Sequence, residues 1–382
     1  MNNIKNSLLK IKYKPLFNGT KQSNINIINS KIDLSFLLSS QEKKLFITDT
    51  NVFNLESVKH FFSQFTFENT IEQNNTKYSV YNYDKHSLIV IPAGEEYKTI
   101  ESVLTICQVA LNANLTRKDT FCAIGGGVIT DIGAFAASIY KRGASVEFVP
   151  TTLLSMVDAA IGGKTGCDFA EFKNIIGSFF PAKALFMFPE FILSLSNKEF
   201  LSGFAESIKT ALLFNKSLLN YINDNKEKIL NKDLEALNVV ISLCAKAKAS
   251  VVQKDLSEKN IRMLLNFGHT FGHALESKAG LGNLTHGECV AWGIARALKL
   301  SVITGLCSSE YYNFVKNLLD SFGYTTKANH PLYIYKDGLL NQMKNDKKNS
   351  STTIRCILQK DIQKNIITEI EDKIILQALE ED

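Results

Sequence analysis

TFCAIGGGVITDIGAFAASIYKRGASVEFV, running from Thr120 to Val149, decides the fold. It reads as a strand from Thr120 to Ile124, three glycines at Gly125, Gly126 and Gly127, a helix from Val128 to Tyr140, and a second strand from Ser145 to Val149. Strand, helix and strand in that rhythm make neighbouring parallel strands with the helix on one face. The rhythm extends upstream. Leu45 to Thr48 is a strand ending at Asp49; Leu88 to Pro92 is another, followed by the turn Ala93, Gly94, Glu95 and a helix from Thr99 to about Ala113. The expected architecture is α/β with a mostly parallel sheet, whose ligands bind at the carboxyl ends of its strands.

Polar residues collect at those ends. Asp49 follows the first strand, Glu95 and Lys98 the second, and Asp131 lies one turn past the glycines. A glycine turn opening a helix lets backbone N–H groups approach a phosphate, and a carboxylate at a strand end can hold ribose hydroxyls. The glycines alone fit a tight turn, since GxGxxG is incomplete; together with Asp49 and Glu95 they favour a dinucleotide site. The next segment, PTTLLSMVDAAIGGKTGCDFAEFKNIIG from Pro150, sets Thr151, Thr152, Asp158, Gly162, Gly163, Lys164, Lys173 and Asn174 among apolar residues. Lys and Asn donors near glycine turns suit an oxyanion such as phosphate, against the plainer reading of a solvated loop.

Beyond about Leu195 long helical stretches take over, so a division into residues 1–195 and 196–382 is expected, with a cleft between the two as the site. Phe200 to Phe214 carries Glu206 and Lys209 on one face, and Leu234 to Gln253 carries Lys248. RMLLNFGHTFGHALESKAGLGNLTHGE, from Arg262 to Glu288, holds three of the six histidines. Read as one helix, it aligns Asn266, His269, His273 and Glu276 in a polar stripe framed by Leu264, Leu265, Phe267, Phe271 and Leu275. Gly280 and Gly282 break it, and His286 follows at the mouth of a helix from about Gly287 to Thr304. The helix dipole there is expected to disfavour imidazolium, leaving the neutral ring that binds a metal. Two histidines four apart are ordinarily solvated or core residues; the third after a tight loop favours a metal cavity. Glu206, embedded among Phe204, Ala205, Ile208 and Leu212, is the candidate third ligand.

Composition agrees with a globular protein: of 382 residues, 45% are hydrophobic and 21% charged. The net charge of +5 comes with no basic run interleaved with aromatics, so no nucleic-acid partner is expected, and anionic small molecules suit the surface better. Seven cysteines without a CxxC pair argue against a disulfide framework and for a cytoplasmic setting. The opening residues MNNIKNSLLKIKYKPLF lack a signal-peptide core, and no run of about 18 uncharged apolar residues predicts a membrane span.

GGGVITD at Gly125 to Asp131, the run from PTTLL to KNIIG, AESIK at Ala205 to Lys209, RMLLNFGHTFGHALE and THGE together resemble the 3-dehydroquinate synthase family of sugar-phosphate cyclases. The likeness runs from about Asp49 to the DKK at Asp346. It implies a Rossmann-like NAD-binding domain, a mostly α-helical second domain, and a homodimer with a divalent metal, usually zinc and alternatively cobalt. By this resemblance Glu206, His269 and His286 are the metal ligands, and His273 is a proton-transfer or phosphate-contacting residue beside them. Asp49, Asn51, Glu95, Lys98, Gly126, Gly127, Asp131, Thr151, Thr152, Lys164 and Lys173 match cofactor positions, flanked by Phe191, Ser194 and Leu195. Lys164, Asn174, His273 and Lys347 match the phosphate cradle, which Arg142 joins from the neighbouring subunit. Lys248, Arg262 and Asn266 match carboxylate-binding positions, while Asp158 and Lys209 match contacts to the sugar hydroxyls and the metal-bound alcohol. His273, Lys164, Asp158, Asn174 and Lys209 form the implied catalytic set.

The implied reaction converts 3-deoxy-D-arabino-heptulosonate 7-phosphate to 3-dehydroquinate and phosphate, the second step of the shikimate pathway. Departures from the family pattern are Thr130, Phe172 and the pair Ala159 and Ala160, where glycine, glycine and serines are usual, and Ser196 in place of proline. Three rival readings are a cyclase of sedoheptulose 7-phosphate, a metal-dependent polyol dehydrogenase, and a catalytically silent NAD-binding regulator.

Overall fold

The computed structural model describes residues 6–13, 22–170, 172–280, 282–330, 336–346 and 353–382. Two compact units emerge, one of Met1–Leu195 with Leu237–Ser257, the other of Ser196–Ala236 with Glu258–Asp382. The helix Leu234–Lys254 thus belongs to the first unit from Leu237 onward.

In chain order the strands are β1 (Ser7–Lys12), β2 (Gln22–Ile27), β3 (Lys44–Asp49), β4 (Thr66–Gln73), β5 (Thr76–Tyr83), β6 (His86–Ile91), β7 (Thr120–Gly125), β8 (Ser145–Pro150), β9 (Lys164–Phe169), β10 (Phe172–Phe179), β11 (Ala184–Met187), β12 (Thr353–Asp361) and β13 (Lys364–Glu371). Nine of them form the main sheet of the first unit, in the order β1-β2-β11-β8-β7-β3-β6-β5-β4. The six from β2 to β6 in that order run parallel, while β1 on one side and β5 and β4 on the other are antiparallel. The expected parallel core is there, but the sheet is mixed.

Burial explains the division. Every residue of β6 and β7 is buried, as a strand covered on both faces requires, whereas β4 is largely exposed. The antiparallel edge is set by turn chemistry: Asn74 and Asn75, at φ 49° and 62°, join β4 to β5 in a two-residue loop. Positive φ at both central residues matches the twist of the flanking strands.

The helices fall close to their predicted spans. Ile100–Asn112 is capped by Thr99, and Gly127–Ile139 follows β7 directly. In the second unit Asn197–Phe214 begins three residues earlier than expected because the Ser196 hydroxyl accepts a hydrogen bond from Glu199 N at 3.1 Å. The departure from proline at this position therefore supplies an N-cap. The second unit is mostly helical but also contains the β12–β13 hairpin.

One expectation is corrected. Arg262 to Glu276 is not a single helix: Ile261–Asn266 is a tight 3-10 turn, and the α-helix spans His269–Ala279. Gly268 lies between them at φ +80°, the left-handed region that ends helical propagation. Asn266 and Arg262 are consequently not in helical phase with His269. Among the described residues no helix is long and apolar enough to cross a membrane.

Candidate active site

In the first unit, chemistry-bearing residues gather at the carboxyl ends of β3, β6 and β7, which are adjacent in the sheet. Asp49 closes β3 and caps the following turn, its carboxylate accepting from Val52 N at 2.9 Å. Burial raises its pKa against the opposing pull of the Val52 and Asn51 amides. Asn51 is exposed beside it. After β6, Glu95 opens a short turn and Lys98 ends it. Buried Lys98 donates to Asp131 Oδ2 at 2.7 Å and to Asn174 Oδ1 at 2.5 Å. Burial alone would lower the Lys98 pKa, but Asp131 and Glu95 outweigh it and hold the ammonium above its ordinary range.

Gly126 caps the helix Gly127–Ile139, so the first backbone N–H groups of that helix remain donors at the end of β7. Thr130 turns its hydroxyl back onto the Gly126 and Gly127 carbonyls, at 3.2 and 3.0 Å. Buried Thr151 ties β8 to this turn through a bond from its N to Gly125 O at 3.0 Å, and the Thr152 hydroxyl lies 3.0 Å from Ser155 Oγ.

The Pro150 segment departs from a simple loop: β9 and β10 form an antiparallel ribbon carrying Lys164, Lys173 and Asn174, all exposed. Asp168, which sequence reading passed over, anchors it. Its N donates to Lys98 O at 2.8 Å, and its carboxylate accepts from Asn174 N at 2.7 Å, holding Asn174 at φ 53°. Lys173 Nζ stands 3.8 Å from Glu95 Oε1. Phe172 beside it is 65% exposed, so its bulk faces outward. Phe191 is buried, with the Ser194 hydroxyl donating to its carbonyl at 2.7 Å and Leu195 following half-buried. Arg142 is exposed in a turn at φ 65°. Asp158 sits in a wide turn, where Lys248 Nζ reaches both its carboxylate at 2.5 Å and its carbonyl at 2.7 Å.

In the second unit, Glu206, His269 and His286 converge until one ligand atom from each lies within 4.8 Å of the others. Glycines allow it. A Cβ on Gly293 would lie 2.0 Å from Gly268 O, and one on Gly287 would lie 2.1 Å from Ser202 O. The helix His286–Ile303 therefore packs backbone against backbone on two neighbours, presenting His286 to Glu206 one turn beyond Ser202. Gly287→Ala should cost about 1–3 kcal/mol through overpacking. A lower urea midpoint together with weaker metal retention is the expected outcome; unchanged values for both would show that the contact is dispensable.

Glu206 Oε1 lies 3.5 Å from His286 Nε2 and 3.7 Å from His269 Nε2, and Lys209 forms an ion pair with the same carboxylate. Both Glu206 oxygens are buried, yet no donor meets them in hydrogen-bonding orientation among the described residues. Buried oxygens left without directional partners, faced by two imidazole nitrogens, fit a divalent cation. Burial would raise the Glu206 pKa, but Lys209 and His286 hold it down at about 2. Burial and the cations around it push His269 well below its ordinary value, leaving the neutral ring a metal needs.

His286 corrects the helix-dipole expectation. Burial lowers its pKa, but Glu206 and Glu276 outweigh burial and bring it up to about 9, so a cation binding at Nε2 would displace a proton. His273, one turn past His269, is exposed. Arg262 is fully buried in the 3-10 turn, and Asn266 Nδ2 donates to Glu258 Oε1 at 2.8 Å. Of the expected carboxylate trio, Arg262 and Asn266 belong to this unit and Lys248 to the first. Lys347 lies outside the described residues.

Solved structures of other proteins share this fold. A 2-deoxy-scyllo-inosose synthase complexed with carbaglucose-6-phosphate, NAD+ and Co2+ superposes with a TM-score of 0.82 at 22% identity, covering 98% of this chain and 99% of that one. A 2-epi-5-epi-valiolone synthase from Streptomyces hygroscopicus subsp. jinggangensis, with NAD+ and Zn2+ bound, gives 0.80 at 24% identity over 98% and 97%. In sequence, a 3-dehydroquinate synthase of Dictyoglomus thermophilum is 40% identical over 307 residues, which is 79% of this chain and 85% of that one. The family model for the 3-dehydroquinate synthase N-terminal region matches residues 88–202, and the model for the C-terminal region matches residues 203–349. With both halves matched in order and a relative this similar over most of its length, the chain belongs to the 3-dehydroquinate synthase family.

Proposed function

We propose that this chain converts 3-deoxy-D-arabino-heptulosonate 7-phosphate to 3-dehydroquinate and phosphate, using NAD catalytically with a divalent cation, zinc or cobalt. The observation that carries the cation is the buried, directionally unsatisfied carboxylate of Glu206 facing His269 and His286. The NAD+ and Co2+ or Zn2+ in the two solved cyclases support the same choice. When bound, the cation polarises a substrate hydroxyl while NAD takes and returns one hydride, so net redox change is zero.

The chain's own residues supply the rest. Glu206, His269 and His286 would hold the cation, through one carboxylate and two imidazoles. Asp49, Asn51, Glu95, Lys98, Asp131, Thr151, Thr152 and the Gly126–Gly127 turn bind the dinucleotide, with Phe191, Ser194 and Leu195 at its margin. Lys164 and Asn174 receive phosphate charge, joined by His273 and Lys347, while Lys173 stays with the dinucleotide, and cationic donors stabilise the departing anion. His273 serves as a proton-transfer or phosphate-contacting residue beside the cation. Asp158 and Lys209 orient hydroxyls; Lys248, Arg262 and Asn266 receive the carboxylate. A homodimer in which Arg142 serves the neighbouring site, in the cytoplasm, completes the proposal.

The test is incubation of the metal-loaded protein with the heptulosonate phosphate and a small amount of NAD. Phosphate released should exceed the NAD supplied by many turnovers, with no lasting NADH absorbance and 3-dehydroquinate as product. NADH accumulating in step with substrate would mark a polyol dehydrogenase. Equal cyclisation of sedoheptulose 7-phosphate, which lacks a carboxylate for Arg262, would mark another cyclase.

A further inference from the structure

Each imidazole facing Glu206 has two nitrogens, and the structure turns them in opposite directions. His269 directs Nε2 toward Glu206 and Nδ1 toward Phe267 O at 3.2 Å. His286 directs Nε2 toward Glu206 Oε1 and Nδ1 toward Glu276 Oε2, both at 3.5 Å. The acceptor that a backbone carbonyl supplies to the first ring is a carboxylate for the second.

We propose that Glu276 is a positioning residue: it accepts the His286 Nδ1–H, fixes the tautomer with Nε2 free, and sets the ring angle toward the cation. This rests on the metal reading of Glu206, His269 and His286. The placement follows from the fold. Glu276 lies seven residues, two turns, beyond His269, so one helix carries both a ligand and the partner of the other ligand. His286 is the first residue of its own helix, where the free backbone groups are N–H donors and cannot accept a proton from the ring. Its acceptor has to come from another element, and among the described residues the Glu276 side chain, 15% exposed, stands within reach at 3.5 Å. A carboxylate on Nδ1–H also raises the basicity of Nε2 toward a metal.

Glu276 also belongs to a group with His273 and His286 whose ligand atoms lie within 4.8 Å of one another, which opens the alternative of a second cation there. One Nδ1 cannot both donate a proton and bind a metal, and the pairing with Glu206 is the more buried one, so the positioning role is favoured.

The experiment uses the full chain freed of metal by chelation and titrated with Co2+, whose visible absorption reports ligand geometry. Glu276→Gln keeps the shape and loses the charge; Glu276→Ala loses both; His286→Ala is the ligand control. Both Glu276 variants should bind one Co2+ with affinity weakened roughly 10- to 100-fold and with a shifted visible band, alanine more than glutamine. The unfolding midpoint of metal-free Glu276→Gln should match that of the parent, which separates the effect from misfolding. Co2+ affinity within twofold of the parent and an unchanged band in Glu276→Gln would overturn the proposal while His286→Ala still loses metal. Two Co2+ per chain in the parent would overturn it in favour of the second cation. Retention of stoichiometric Co2+ by His286→Ala would instead remove the metal reading beneath it.

Discussion

Replacing His269 or His286 with alanine should strip the protein of its metal and lower turnover by at least about 10³-fold. The reasoning starts from Glu206, whose oxygens are buried and lack directional hydrogen bonds although Lys209 balances their charge. With one imidazole gone, two protein ligands remain and affinity falls. A bound cation contributes several kcal/mol of charge stabilisation in the transition state. About 4 kcal/mol corresponds to about three decades in rate. Prolonged chelation of the parent should reproduce the loss, and zinc or cobalt should reverse it. Chelation should also lower the thermal midpoint, since a ligand bound only to the folded form stabilises it by mass action. Near-normal turnover with stoichiometric metal in either variant would sink the ligand assignment.

Lys98→Met should destabilise the first unit by about 3–5 kcal/mol, the range for removing one partner of a buried pair and leaving the other charge uncompensated. The partner is Asp131, at 2.7 Å, with 6% and 18% of the two side chains exposed. Because Lys98 is held above its ordinary pKa, its side of the pair is fully charged at neutral pH and is lost as alkali deprotonates it, while acid breaks the pair from the side of Asp131, whose carboxyl burial shifts upward. Asn174 would lose the same ammonium, so the ribbon carrying Lys164 and Lys173 should loosen as well. Adding Asp131→Asn removes the stranded charge and should recover at least half of the lost stability, while NAD binding stays impaired in both variants. Urea unfolding and NAD titration separate the two effects. A parental urea midpoint in Lys98→Met would show that the pair adds nothing to the fold.

Much of the architecture was legible because its signals are local. β6 and β7 are runs of consecutive buried residues, and a strand covered on both faces must be apolar throughout. Thr99 and the glycine turn mark helix starts that the structure keeps. The antiparallel edge had a signal too, in the Asn74-Asn75 pair at positive φ, but polar β4 carries no hydrophobic alternation to draw attention to it. The ribbon of β9 and β10 was harder to read, because its register shifts between Phe172 and Ile176 and one anchor, Asp168, bonds residues distant in sequence.

The motifs by themselves determined the family, the candidate ligands and the strand ends where polar residues gather, since each depends on residue type and short spacing. Only the tertiary structure decided how those residues meet. It broke the expected helix at Gly268, a glycine at φ +80° whose Cβ would crowd Ile294 and the Val290 carbonyl. It joined Lys248 to Asp158, ninety residues away, and it grouped most of the helix carrying Lys248 with the first unit. It also put Glu276 against His286, giving a carboxylate that sequence reading left in a polar stripe a specific nitrogen to hold. Spacing along the chain reports which face of an element a side chain takes; the charge and nitrogen it confronts depend on the element packed opposite, and that is set by the fit of backbones at Gly268, Gly287 and Gly293.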